Sequence, residues 1–380
     1  MAFTEKYVTV SGGGLHDGSS EANAWTISEA NTNMSVGDRL NVKAGSYTMP
    51  SSFSAWPTGT STSPCSMRGY KSTIGDLDNA QSSQLVDVTD MPYFATGSGK
   101  GSFRPLGSNN PWIIENISFF SDYFQQNPAW CDGSGQVWRK CKFVTSATGS
   151  YYDLIYRSIT GNNHSRFENC LFSVPSNWTS LYGPVELNGC LFHGCVFENI
   201  YNLIPAGSTD FINCIFNGAS GDLIKYGNYA STATVEGCTF YNINGDAIQN
   251  TTITGWNTWG GAVSLRNNVF HTISGNAVRG LSSTDYSFYL SGNLFYNVSG
   301  SNFANSTCDS ERDSVTASSD PFTDTAGGDF SLTAGSGGQG KASPQLFMGF
   351  DQSNNQDIGA IQHADPSGGG GAVLHPLRSN

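Results

Sequence analysis

The sequence predicts an all-β protein: a single-stranded, right-handed parallel β-helix, a solenoid of about ten or more coils. Three observations carry that expectation. The 380 residues include 45 Gly, 23 Phe and 16 Tyr, and only 13% are charged, a composition that suits strands and tight turns better than helices. A short motif recurs eight times between residues 112 and 295. The interval between copies varies from 19 to 30 residues, which a coil with unequal loops tolerates and a β-propeller blade does not. The register of a leucine-rich repeat is absent.

The aligned copies are WIIENISF (112–119), VWRKCKF (137–143), RFENCLF (166–172), LFHGCVF (191–197), DFINCIF (210–216), TVEGCTF (234–240), SLRNNVF (264–270) and YLSGNLF (289–295). Their central position is Ile117, Cys141, Cys170, Cys195, Cys214, Cys238, Asn268 and Asn293. Two residues later stands Phe in every copy, and three residues earlier a large apolar residue, from Ile114 and Trp138 to Leu265 and Leu290. The central residue and the Phe share one face of a strand because side chains alternate. The residue just before the centre is Asn or Gly in seven copies and Lys140 in the eighth. A tight bend with φ > 0 explains that choice. Each copy therefore reads strand, corner, strand. Beyond the Phe, GASGDLI (218–224), NINGDAI (242–248) and TISGNAV (272–278) mark a second turn and open a third strand.

These ladders resemble those of the pectate-lyase-like β-helix superfamily. DGSSEANAWTISEANTNMSVGDRLNVKAGSYT (17–48) is similar to its opening coil, and CSMRGYKSTIGD (65–76) to the next strand and corner. SDPFTDTAGGDFSLTAGS (319–336) with DIGAIQ (357–362) is similar to its C-terminal closure. The chain then divides into an N-terminal cap segment (1–25), the β-helix (26–318), a closing segment (319–363) and a Gly-rich linker with a docking arm (364–380). The fold carries lyases, hydrolases, adhesins and virion proteins alike, so the resemblance alone assigns no activity.

Polysaccharide cleavage needs two carboxylates at a set separation, or calcium-binding carboxylates beside a Lys or Arg base. The chain has no paired DD and no G-H-G. The best constellation lies at the second turn, where Asp222 and Asp246 align with Asp153, Asn202 and Asn276, and Lys225 and Arg279 follow three residues on. The same column also reads as turn capping by Asp and Asn side chains, so no catalytic residue is assigned. Trp178, Trp256 and Trp259 sit in the longer loops as candidates for stacking on sugars, or equally for covering the solenoid edge or meeting a neighbouring chain.

GCLFHGCVF (189–197) brings Cys190, His193 and Cys195 close together and invites a metal. A fourth ligand is missing, and the repeat makes Cys195 a ladder residue, with His193 expected in the corner facing solvent. The stacked thiols are expected to be reduced and buried, since neighbouring rungs hold Cβ atoms about 4.8 Å apart where a disulfide needs about 3.8 Å. Neither a metal nor a cofactor is expected.

A net charge of −12 without a basic run argues against nucleic acid, and no stretch approaches the length of a membrane span. The first residues, MAFTEKYVTVSGGG, show neither the basic nor the apolar region of a signal peptide, and nine cysteines fit a reducing site of synthesis. Leaderless bacteriophage virion and appendage proteins are the members of the superfamily that the chain most resembles. The expectation is a non-enzymatic virion structural protein (capsid decoration, head fibre or tail appendage) that binds surface glycans. The alternatives are a polysaccharide lyase or glycoside hydrolase of tailspike type, and a cell-surface adhesin. SGGGG (367–371) precedes AVLHPLRSN (372–380), a tether and an arm in which Val373, Leu374, Pro376 and Leu377 dock on other virion proteins. The appendages it resembles are homotrimers.

Overall fold

The structure, a computed structural model, describes residues 2–49, 56–80, 85, 87–96, 103, 111–122, 129–130, 135–146, 155–156, 165–176, 186–200, 202–206, 209–226, 232–250, 261–280, 286–304, 308–339, 341–342 and 357–361. The predicted corner is present in all eight copies. Asn116, Lys140, Asn169, Asn213 and Asn267 have φ between 52° and 58°, and Gly194, Gly237 and Gly292 between 62° and 64°. Glycine enters this left-handed region freely, and asparagine does so at small cost. A lysine there costs about 1–2 kcal/mol.

Past the corner the central side chain turns inward, and in six copies it donates to the carbonyl of the penultimate residue of the strand that precedes the corner one coil earlier. Cys141 Sγ reaches Ile114 O at 3.5 Å, Cys170 Sγ reaches Trp138 O at 3.4 Å, and Cys214 Sγ reaches Phe192 O at 3.5 Å. Cys238 Sγ meets Phe211 O at 3.4 Å, while Asn268 Nδ2 and Asn293 Nδ2 meet Val235 O and Leu265 O at 2.9 and 3.0 Å. Cysteine and asparagine share one column because each is a compact side chain carrying a donor. The seven described cysteines are buried and form no disulfide with one another.

Two compact units divide the chain, Met1–Cys190 and Leu191–Asn380. In the first, one parallel ladder joins Thr4–Val8, Asp38–Lys43, Cys65–Tyr70, Trp112–Glu115, Val137–Arg139 and Arg166–Glu168 in order. A second joins Gly45–Thr48, Pro92–Thr96, Ser118–Ser121, Lys142–Thr145 and Leu171–Ser173. The first rung thus comes from within the N-terminal cap segment. A short helix, Ile27–Asn33, starts at a capping box between Thr26 and Glu29 and buries Ile27 and Ala30.

The second unit repeats the plan. Leu191–His193, Asp210–Ile212, Thr232–Glu236, Gly261–Arg266, Tyr286–Ser291 and Cys308–Arg312 form its first ladder. Val196–Glu198, Ile215–Ala219, Thr239–Ile243, Val269–Ile273, Leu294–Val298 and Val315–Thr316 form its second. A third ladder runs through Ile224–Tyr226, Ile248–Asn250, Val278–Arg279 and Phe303–Ala304. Inside, Phe197, Phe216, Phe240, Phe270 and Phe295 stack with centroids 4.7–5.2 Å apart and planes within 12°. Each such pair contributes roughly 0.5–1.5 kcal/mol beyond its burial.

An antiparallel hairpin, Phe322–Asp324 with Asp329–Leu332, packs against the second ladder of this unit. Phe330 lies 5.1 Å from the Tyr241 ring and Phe322 5.0 Å from the His271 ring. His271 is buried, bonds Asp320 Oδ1 through Nε2 at 3.0 Å, and meets the Thr272 hydroxyl through Nδ1 at 2.9 Å. No helix among the described residues is long and apolar enough to cross a membrane.

Candidate functional site

The second turn of the coil brings Asp222, Lys225, Asp246 and Arg279 together. It arises where the strand carrying the Phe ends and Gly-Asp or Gly-Asn turns the chain into the third ladder. Asp222 Oδ1 accepts the Asp246 amide at 2.9 Å. Its Oδ2 takes Gln249 Nε2 at 2.8 Å and Lys225 Nζ at 3.2 Å. One coil on, Asp246 Oδ1 accepts both the amide and Nδ2 of Asn276, at 2.7 and 2.8 Å, while Oδ2 faces Arg279 Nη1 at 3.2 Å. Asn276 Oδ1 in turn accepts the Ser301 amide at 2.9 Å. Asn202 stands one rung earlier, its amide on Asp222 O at 2.8 Å.

This is a ladder of turn caps running from coil to coil. Burial pushes the Asp222 carboxyl up, but the Asp246 amide, Lys225 and Gln249 outweigh it and hold its pKa below the ordinary value. A Cβ on Gly275 would come within 2.6 Å of Asp246 Oδ1 and of the Gly245 backbone, and one on Gly245 within 2.5 Å of the Asp222 amide, which accounts for the glycines before Asn276 and Asp246. Each carboxylate is matched by one cation and by amides.

The remaining sequence candidates distribute differently. Asp153, Trp178, Trp256, Trp259 and the arm residues Val373, Leu374, Pro376 and Leu377 lie outside the described residues. Cys190 and Cys195 are buried. His193 is the last residue of its strand and half-buried, and the corner belongs to Gly194, which corrects the expectation of a solvent-facing corner histidine. The register forces this: two residues before the centre, a side chain projects from the outer face of the sheet, where neighbouring rungs flank it. No group of three or more His, Cys, Asp or Glu that could hold a metal occurs among the described residues.

A second cluster, absent from the sequence candidates, lies on the outer face of the first ladder in the N-terminal unit. Parallel register aligns Arg68, Glu115, Arg139 and Glu168 in one row. Arg139 joins the carboxylates on either side, Nη1 to Glu115 at 3.2 Å and Nε to Glu168 at 2.7 Å. Arg68 Nη2 meets both carboxylate oxygens of Asp78 at 2.5 Å. The turn before Asp78 is fixed by Asp76, which accepts the amides of Lys71, Ser72 and Thr73 at 2.7–3.0 Å. Lys140 Nζ donates to the Asp78 carbonyl. Burial lowers the Lys140 pKa, aided by the charge of Arg68 and opposed by Asp78 and Glu115. Together Arg39, Arg68, Asp78, Ile113, Glu115, Asn116, Arg139 and Lys140 enclose a cleft of about 320 Å³. The one signal of it in the sequence was Lys140, the exception among eight corner residues.

Stacked parallel ladders with a Gly-Asp cap at the turns define a right-handed parallel β-helix. Among solved structures, pectate lyase Pel9A superposes over 95% of this chain and 96% of its own, with a TM-score of 0.57 and 15% sequence identity. At that identity the likeness is one of fold. A rhamnogalacturonan lyase covers 77% of this chain and 82% of its own at 13% identity, and its TM-score of 0.41 is too low to support an argument. No protein-family model matches the sequence, and no curated protein matches it.

Proposed function

We propose that the chain is a bacteriophage virion structural protein, a capsid decoration, head fibre or tail appendage, whose coils serve as a scaffold without cleaving a substrate. The observation that carries this reading is the state of Asp222, Lys225, Asp246 and Arg279. Their polar atoms bond to one another and to backbone amides of adjacent coils, the pattern of turn caps. The buried thiols of the seven described cysteines, which form no disulfide with one another, are consistent with folding in a reducing compartment, where virion proteins are made. In this reading residues 372–380 dock on other virion proteins, and the chain is a homotrimer. Mass spectrometry of particles purified from the source phage tests it. The chain is expected as a stoichiometric component that survives washing, and its absence from the particles would overturn the assignment.

A second reading, a polysaccharide lyase or glycoside hydrolase of tailspike type, is favoured by one observation. The outer face of the first ladder carries a cleft with a half-buried lysine and three arginines, on a fold shared with a pectate lyase. Direct cleavage assays separate the two readings.

A further inference from the structure

The two residues ahead of the turn caps repeat from coil to coil, and one coil departs from the pattern. Ser220-Gly221, Ser274-Gly275 and Ser299-Gly300 occupy the place that Asn244-Gly245 takes in the remaining coil. Backbone bonds fix the equivalence. Asn244 N donates to Ala219 O, Ser274 N to Ile243 O and Ser299 N to Ile273 O, at 2.8–2.9 Å. The glycine of the pair is fixed by the neighbouring coil, which leaves no room for a side chain. A Cβ on Gly245 would lie 2.5 Å from the Asp222 amide nitrogen, and one on Gly300 2.6 Å from Gly275 O. An asparagine at position 244 must therefore be followed by glycine.

That pair is chemically labile. The amide nitrogen after an asparagine can attack the side-chain carbonyl carbon, and a glycine, with no Cβ in the way, allows the closest approach. Asn244 is exposed and lies in a turn between the strands Thr239–Ile243 and Ile248–Asn250. The amides of Gly275 and Gly300 donate to Gly245 O and Gly275 O at 3.0 and 2.9 Å, whereas the Gly245 amide has no acceptor among the described residues. The chain holds two other Asn-Gly pairs, at Asn188 and Asn217. Asn217 lies within Ile215–Ala219 and is paired to Glu198 on one side and Tyr241 on the other. Asn188 closes the strand Glu186–Asn188. Both must leave a strand before the backbone can fold back onto the side chain.

We propose that Asn244 is a site of spontaneous deamidation that unfastens the turn cap beside it. Gly245 N bonds to Asn244 Cγ, the Cγ–Nδ2 bond breaks, and the displaced nitrogen leaves as ammonia with the proton of the Gly245 amide. Water then opens the succinimide ring at either carbonyl, to an aspartyl or an isoaspartyl linkage. Ser274 Oγ, which donates to Asn244 Oδ1 at 3.1 Å, keeps an acceptor in the aspartyl product. The isoaspartyl product lengthens the backbone by one methylene where the chain has no slack. Asp246 N is held on Asp222 Oδ1 at 2.9 Å, and Gly245 O on the Gly275 amide at 3.0 Å. This inference goes beyond the scaffold reading and does not depend on it.

Peptide mapping by mass spectrometry during storage of the full chain in mildly alkaline buffer tests the proposal, with electron-transfer fragmentation to separate the two products. Breaking even one strand hydrogen bond lowers the reactive population about tenfold, so the acid is expected to accumulate at Asn244 at least about tenfold faster than at Asn217. The melting temperature falls as it accumulates. Asn244→Ser installs the residue that the fold uses at this turn elsewhere, removes the site, and is expected to hold the melting temperature through storage. Asn244→Gln, whose longer side chain closes its ring more slowly, repeats that result and covers the case of a serine variant that folds poorly. Retention of the amide at Asn244, faster conversion at Asn217 or Asn188, conversion at Asn244 with a level melting temperature, or a storage loss that persists in both variants overturns the proposal.

Discussion

Replacing Asn268 by alanine removes a fully buried amide that bonds across two coils. Its Nδ2 donates to Val235 O at 2.9 Å and to Asn293 Oδ1 at 3.1 Å, and its Oδ1 accepts the Cys238 amide at 2.9 Å. Alanine leaves the Val235 carbonyl and the Cys238 amide without these partners. Each orphaned group costs about 1–3 kcal/mol, so the substitution destabilises by roughly 2–6 kcal/mol, with a small cavity adding to this. Asn268→Cys is the informative control. At the same position one coil earlier, Cys238 Sγ donates to Phe211 O and accepts the Cys214 amide at 3.4 Å. A thiol therefore serves both groups, weakly, and recovers part of the loss. Urea titration followed by circular dichroism gives the stability, and hydrogen exchange at the Cys238 amide localises it. An alanine variant within about 0.5 kcal/mol of the parent, or a cysteine variant no better than alanine, refutes the account of this column.

Other outcomes follow from the same geometry. Asp246→Asn keeps the acceptor for the Asn276 amide and lowers stability by less than about 1 kcal/mol, whereas Asp246→Ala costs about 2 kcal/mol in urea titration; equal losses would contradict a capping role. Burial holds the His271 pKa below 6.5 despite Asp320, so the unfolded chain binds this proton more readily. The contribution of His271 is therefore complete above pH 6.5 and is lost as pH falls through and below that value. Amides in the hairpin 322–332 should lose protection, relative to their intrinsic exchange rates, at acid pH, and His271→Phe should flatten this dependence. The seven buried thiols should react with a thiol reagent only after denaturation, and reductant should leave the melting temperature unchanged.

The fold was legible because a parallel β-helix writes its cross-section into every coil. Ile114, Ile117 and Phe119 recur as Val235, Cys238 and Phe240, and the φ > 0 corner favours Asn or Gly between strand and centre, with Lys140 and Asp313 as the departures among the described corners. The capping set was legible for the same reason, since Asp222 and Asp246 occupy equivalent turns. The cleft was not. Its row joins Arg68, Glu115 and Arg139, which lie 47 and 24 residues apart, across loops of unequal length. Asp78 enters from a turn outside the repeat. Outer-face residues obey no column rule, because solvent accepts many side chains where the packed core accepts few. Only the steric cost of a left-handed lysine left a trace.

Under the proposed scaffold role, Asp222, Lys225, Asp246 and Arg279 cap the turns of the coil and take no part in cleavage. Incubating the purified chain with acidic and neutral bacterial polysaccharides, with and without calcium, tests it most directly through the release of unsaturated or reducing ends. The account predicts no release under any condition. Release of new ends that is abolished by Asp222→Asn or Lys225→Ala, in variants that keep the parent melting temperature, would contradict it.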